Sequence, residues 1–391
     1  MVLNSFNQNQ QIDASVKEVV ELGIKSGSRA TENGDYETAK EIFSNLLKTD
    51  PENSEINNQL GIIYGMQKDF DTAVRFLRTA INIDPNNSIY HKNLGLVLAN
   101  QHRFSRAIRE FKRALELNPD DHSLSYCIAQ AYRENGDHQE YEKILTEILI
   151  SDPKNIKANN DMGIISLVRK DYEAALAYFT AVTDVVGAPS ESYNHLGTTY
   201  SLLGEVEKAQ LAFMTGVNLD PKNFECLLNL CIAERDLGNL DTALLHAETA
   251  ISLQSNESAY NILGTIQKEK GEFDAAYLSF EKALRNNEDF APAIINRGFI
   301  HLRNGDWARG FSDFEKRFAS VDFFNNSILS KFKLWDGTNI SGKRLYLFSE
   351  QGFGDTLQFF RFVKPLVETG INVTVGVQPE LIVLLTNIFE N

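Results

Sequence analysis

A small residue returns along this chain at a nearly fixed interval: Gly27, Gly61, Gly95, Ala129, Gly163, Gly197, Cys231, Gly264 and Gly298, every step being 34 residues except one of 33. A period of this length constrains the fold more tightly than composition does. Each unit must be one supersecondary element that buries its apolar face against its neighbours. Twelve residues after each marker lies a second, mostly small position: Ala39, Ala73, Ala107, Tyr141, Ala175, Ala209, Ala243, Ala276 and Gly310. Four further on comes a mostly bulky one, including Phe43, Phe111, Phe179, Phe213, Phe280 and Phe314. Pro51, Pro85, Pro119, Pro153 and Pro221 close five units.

These positions predict a helical hairpin in each unit. Small residues at two fixed points let the paired helices approach, and the aromatic fills the space beside that contact. Gly34-Asp35, Lys68-Asp69, Gly136-Asp137 and Gly271-Glu272 suit the tight turn between them. Asp-Pro or Asn-Pro ends the second helix, because proline lacks an N–H and pushes its predecessor out of the α region. Tyr141 departs from the pattern in the fourth unit, where either the helices stand further apart or the tyrosine fills a core site. Asp13 is a helix start ahead of the first unit, behind an Asn/Gln-rich frayed tail over 1–12.

The pattern resembles the tetratricopeptide repeat, with nine copies from about Val20 to Phe324. The resemblance implies an α-solenoid whose first helices line a concave groove that binds a peptide or partner protein. The repeats also look like those of O-linked N-acetylglucosamine transferase. There an asparagine two residues before the first small position forms a ladder along the groove. The matching positions are Gln59, Asn93, Cys127, Asp161, His195, Asn229, Ile262 and Asn296. An amide at such a position can donate to and accept from one peptide unit, so Gln59, Asn93, Asp161, His195, Asn229 and Asn296 are the candidate peptide-binding set.

Composition narrows the partners. With 38 basic and 53 acidic side chains the formal charge is −15, which argues against nucleic acid or an anionic membrane as partner. Apolar stretches such as 381–385 are far shorter than the ~20 residues of a spanning helix, and the start lacks the basic and apolar regions of a secretory signal. The expected location is cytoplasmic. Three cysteines do not make a disulfide scaffold. Cys226 and Cys231, five apart on one helix, lack metal-ligand spacing, and the scattered histidines, His301 among them, read as packing. No metal and no cofactor is expected.

From about Lys331 the pattern changes. RLYLFSE (344–350) reads as a strand, EQGFGDTLQF opens a helix running to about Glu368, INVTVGV (371–377) is a second strand, and Pro379 opens another helix. This is the opening of a parallel α/β unit. GDWARGFSDFEKRF (305–318), KLWDG and GKRLYLFSEQGFGDTLQFFRF resemble bacterial proteins in which tetratricopeptide repeats run into a glycosyltransferase-like domain of the lipopolysaccharide heptosyltransferase type. The resemblance implies that Asp355 lies at the active cleft as the base for an acceptor hydroxyl, on a loop shaped by Gln351, Gly352 and Gly354. From the residues themselves, Asp355 followed by Gln358 also fits an N-cap with its capping-box partner.

The expected architecture is thus all-α: a tail over 1–12, a tetratricopeptide superhelix over 13–330 and a short, incomplete α/β Rossmann-like segment over 331–391. The leading function is a protein-interaction scaffold. The alternative is a glycosyltransferase of two Rossmann-like halves whose catalytic part is truncated here, the repeats recruiting the acceptor; a nucleotide sugar then becomes a partner only if the missing half is supplied. Because the second half of that family holds the nucleotide, residues 1–391 are expected to show no calorimetric binding of nucleotide sugars and no turnover. Saturable binding that Asp355→Ala abolishes would overturn this.

Overall fold

The computed structural model describes residues 18–317, 333, 335, 337–340, 342–349 and 352–389. The tail over 1–12, the Asp13 helix start and Gln351 lie outside the described residues. Helical hairpins follow one another at the repeat period. The pairs are 18–32 with Tyr36–Thr49, Ser54–Met66 with Phe70–Ile83, Ser88–Asn100 with Phe104–Leu117, and His122–Glu134 with His138–Ser151. Then come Ile156–Val168 with Tyr172–Thr183, Ser190–Leu202 with Val206–Leu219, Phe224–Asp236 with Leu240–Leu253, and Glu257–Glu269 with Phe273–Asn286. Ala291–Arg303 and Trp307–Phe314 form the ninth pair in sequence. The chain divides after Ile300 into two compact units.

The helix ends follow from local chemistry. Asn53, Asn155 and Asn223 cap first helices, each side-chain oxygen accepting a backbone N–H at 3.1 Å. Asp35, Asp69 and Asp171 do the same for second helices. Asp50, Asp84, Asp152 and Asp220, each before a proline, close second helices by donating their N–H to a carbonyl four residues back. Each hairpin turns through one left-handed residue. Six of the nine turns use glycine there, as at Gly34 (φ 78°), whereas Lys68, His102 and Lys170 hold φ of 63°, 58° and 61°. A side chain in that region costs about 1–2 kcal/mol. The turn repays it by satisfying helix-end carbonyls: Lys68 N–H donates to Gly65 and Asp69 N–H to Tyr64.

The recurring small residue has a sharper role than the sequence implies. A Cβ built on Gly197 would lie 2.5 Å from the Phe213 ring, and one on Gly95, Gly163 or Gly264 equally close to Phe111, Phe179 or Phe280. The aromatic does not merely sit beside the helix contact; its ring lies on the glycine backbone of its own hairpin. Where the small residue grows, the ring shrinks. Ala129 is matched by Leu145, and Cys231 by Ala247, all four fully buried.

In the fourth hairpin the tyrosine fills a core site. Tyr141 is buried and packs with Ala129, Leu145, Ile148, Ala158 and Met162. The bulk occupies a core site because Leu145 leaves the room that phenylalanine takes in other repeats.

In the second unit, β1 (Arg344–Phe348) and β2 (Asn372–Gly376) pair in parallel, Arg344 opposite Asn372 through Phe348 opposite Gly376. The single helix expected between them is two, Phe353–Phe360 and Val363–Glu368. Pro365 explains the break, since it lacks the N–H that would continue the ladder to Arg361. Gly370 (φ 81°) ends the second. Helix Phe353–Phe360 has no buried residue.

The pairing of Cys231 with Ala247 makes a prediction. Ala247→Phe alone should destabilise the array by about 1–3 kcal/mol through overpacking, and adding Cys231→Gly should recover most of it. Urea unfolding of the two single variants and the double measures the coupling; strict additivity would contradict the ring-on-glycine reading.

Candidate peptide-binding face and tail cavity

The ladder positions are brought together along one face of the first unit, but through partners the sequence reading missed. Asn93 Nδ2 donates to Asn58 Oδ1 of the preceding repeat at 2.8 Å, Asn229 Nδ2 to Asn194 Oδ1 at 2.8 Å, and Asn296 Nδ2 to Asn261 Oδ1 at 3.1 Å. His195 Nδ1 meets Asn160 Oδ1 at 2.9 Å. Each pair is 35 residues apart and joins a ladder residue to the one just before the ladder position in the previous repeat. The same geometry links Tyr126 to Asp161, whose carboxylate accepts from the Tyr126 hydroxyl and Gln130 Nε2, both at 2.8 Å. At the seventh junction the pair is apolar, Leu228 packing with Ile262. The signal lay in the doubled polar residues of Asn58-Gln59, Asn160-Asp161 and Asn194-His195.

The consequence for binding differs by position. Asn93 and Asn229 each spend one amide hydrogen on the junction, and their oxygens have no hydrogen-bond partner among the described residues. Asn296 Oδ1 accepts from Lys268 at 2.7 Å. Gln59 donates to Glu55 at 2.7 Å, one turn back on its own helix. His195 lies against the Phe179 ring, centroids 5.1 Å apart, and burial holds its pKa below the usual imidazole value. Lys92, next to Asn93, is committed to the next repeat by contacts of 2.9 Å to Asp121 and Ser123. Three residues after the ladder runs a second row, in which Leu96, Ile164 and Phe299 are exposed. The face thus alternates half-buried amides with apolar side chains.

In the second unit, a cavity of about 490 Å³ lies at the carboxyl ends of both strands. Leu347 to Ser349 and Val375 to Val377 line it, with Asp355, Thr356 and the aromatic rings of Phe311, Phe314 and Phe359. Asp355 is exposed and is not the N-cap expected from its spacing to Gln358. The helix starts earlier, capped at Gly352 without a side-chain bond, and Asp355 falls inside the first turn. A carboxylate there is favoured by the helix dipole. The Thr356 hydroxyl lies 3.0 Å from Gln378 beyond β2. Gly354 has nothing within 4 Å of an added Cβ, so close packing does not demand glycine there.

Cys226 and Cys231 are buried, as packing predicts. Burial pushes their thiols up to about 11 and about 12. Tyr141 is pushed up to about 12 by burial and its bond to Asp161. Among the described residues no cluster of His, Cys, Asp and Glu could hold a metal ion, and no helix is long and apolar enough to cross a membrane.

Family models for tetratricopeptide repeats match residues 30–95, and residues 190–223 and 257–290; the tetratricopeptide domain of cytochrome c-type biogenesis protein H matches 75–193. The chain is a tetratricopeptide repeat protein. It is 30% identical over 142 residues to human Superkiller complex protein 3, covering 35% of this chain and 9% of that one. It is 22% identical over 270 residues to Protein FlbA of Caulobacter vibrioides, covering 59% of this chain and 45% of that one. The chain spans less than half the length of these curated relatives. Among solved structures it is similar to Pseudomonas aeruginosa PilF (TM-score 0.47, 17% identity, 54% of this chain and 96% of that one). It is also similar to the type IV pilus biogenesis factor PilW (0.44, 19%, 53% and 96%).

The raised pKa values carry a sign. In the unfolded chain the thiols and the phenol ionise near 9 and 10; the folded chain keeps their protons longer. The stability they contribute is therefore present below pH 9 and lost as pH rises toward 12. Urea midpoints measured from pH 8 to 11 should fall, and less steeply in Cys226→Ala/Cys231→Ala.

Proposed function

We propose that this protein is an interaction scaffold whose first helices hold an extended peptide segment of a partner protein. The observation that carries the reading is the junction ladder. Asn93 and Asn229 are oriented by bonds to the repeat before, and their carbonyl oxygens stay available, one turn before the exposed Leu96 and the half-buried Ile232. Such a row can hold peptide N–H groups at intervals while the apolar row takes side chains. The tetratricopeptide family models support the scaffold class.

For the tail, we infer the opening of a glycosyltransferase-like, Rossmann-like domain. The supporting observation is the cavity at the carboxyl ends of two parallel strands, the place where open α/β sheets bind ligands. Asp355 lines it and is the residue proposed to act as base. Gly352 and Gly354 belong to the same loop, as does Gln351 in sequence. A nucleotide sugar needs strands beyond these two.

The groove reading is tested with peptides selected from a random library on the full chain. Asn93→Ala/Asn229→Ala should weaken binding about tenfold, two bonds at roughly 0.5–1.5 kcal/mol each. Asn58→Ala/Asn194→Ala breaks the same junctions but spares the binding amides, so it should cost similar stability and less affinity. Equal affinity loss in both pairs would mean that the amides only join repeats.

A further inference from the structure

The second helices of repeats six to eight carry a feature the groove does not use. Leu211, Leu245 and Leu278 recur at one register position, two residues after the buried Ala209, Ala243 and Ala276. At 100° per residue this puts them on the opposite side of each helix from the core. They are 57%, 61% and 60% exposed, so packing does not account for them. The same register holds Glu41, Arg75, Arg109 and Lys143 in repeats one to four. Repeat five has Ala177 there and repeat nine Ser312, so a large apolar side chain at this register is confined to three consecutive repeats. Met214, three residues after Leu211, extends the exposed apolar surface.

The rims of this ridge are acidic. One turn before the leucines stand Glu207, Asp241 and Asp274, and Glu248 follows Leu245. Glu207, Glu248 and Asp274 have no ion-pair partner among the described residues. Asp241 is paired with Lys270 at 2.6 Å. Of the nearby lysines, Lys208 is taken up by Glu205, and Lys282, one turn after Leu278, lies over the Tyr260 ring. An apolar row between unneutralised carboxylates repels an anionic membrane and attracts a surface that is apolar along one line and cationic at its edges.

We propose that the outer face of repeats six to eight docks a basic amphipathic helix of a partner protein. Leucine-type side chains of that helix cover Leu211, Leu245 and Leu278, and its lysines or arginines reach Glu207, Glu248 and Asp274. This surface lies on the second helices, so it is independent of the peptide-binding face on the first. The protein can hold two segments at once.

The test uses the full chain and a labelled synthetic peptide that forms a helix with leucine along one face and lysine on both rims. Its twin carries glutamate at the rims. Fluorescence anisotropy should show saturable binding of the lysine peptide, weakened by salt, and none of the glutamate twin. Leu211→Ser/Leu245→Ser/Leu278→Ser should lose roughly tenfold or more in affinity with its circular dichroism unchanged, because the replaced side chains are exposed. Arg75→Ser/Arg109→Ser, at the same register in repeats two and three, should bind as the wild type does. The proposal is overturned if the lysine peptide fails to bind, if both peptides bind alike, or if the leucine variant binds undiminished. It is also overturned if the wild type sediments as a dimer that the leucine variant dissolves, which would assign the ridge to a second copy of this chain.

Discussion

The contact on which the array depends is an aromatic ring lying on a bare glycine backbone within one hairpin. It recurs in five hairpins, at Gly27, Gly95, Gly163, Gly197 and Gly264, and brings their paired helices close. A Cβ at the glycine would stand well inside contact distance of the ring, or of Leu77 over Gly61 in the second hairpin, so the small residue can grow only if its partner shrinks. Ala129 with Leu145 and Cys231 with Ala247 show this. Dispersion from a fully buried ring, together with its removal from water, gives those hairpins a core they could not build from one helix face alone. The one-residue left-handed turn is common to hairpins with and without the ring, as at Lys68, Gly136 and Gly238.

Once the hairpins are fixed, polar side chains join them. The junction ladder on the first helices is one tie. A second runs from the start of four second helices to the end of the next first helix: Glu37 with Gln67, Asp71 with Gln101, Ser105 with Asn135, and Asp241 with Lys270. These exposed bonds are individually weak, but they recur at one register and set how each repeat follows the last. The ladder is different because it is half-buried and leaves acceptor oxygens unspent at Asn93 and Asn229. The amides that align the repeats are thereby each held in one orientation, the pre-ordering that the proposed peptide binding draws on.

Most of the helical architecture was legible because period, turn residue and proline each have a local cause. The hairpins, their caps and the parallel strand pair needed no long-range knowledge. What the sequence concealed was partnership. The asparagine positions were visible, but a single row read alone looked free, whereas Asn93 is half committed to Asn58 and Gln59 to its own helix. Tyr141 left two readings open because its compensating partner, Leu145, stands out only as a missing ring. Asp355 matched a capping pattern that the backbone of 352–354 pre-empts by starting the helix earlier. Residue type and spacing carry the local rules; which of several compatible partners a side chain takes is decided by packing across repeats.

The tail obeys a different constraint. Parallel strands are normally covered on both faces, yet helix Phe353–Phe360 buries nothing and Tyr346, Phe359 and Val383 are exposed. Two strands are also too few to be stable alone, so the function assigned with most physical support belongs to the repeats. The most direct test is hydrogen exchange of the full chain with and without a selected peptide. The account predicts new protection in the first helices of repeats three and seven, Ser88–Asn100 and Phe224–Asp236. Protection confined to second helices, or to residues beyond 331, would contradict it.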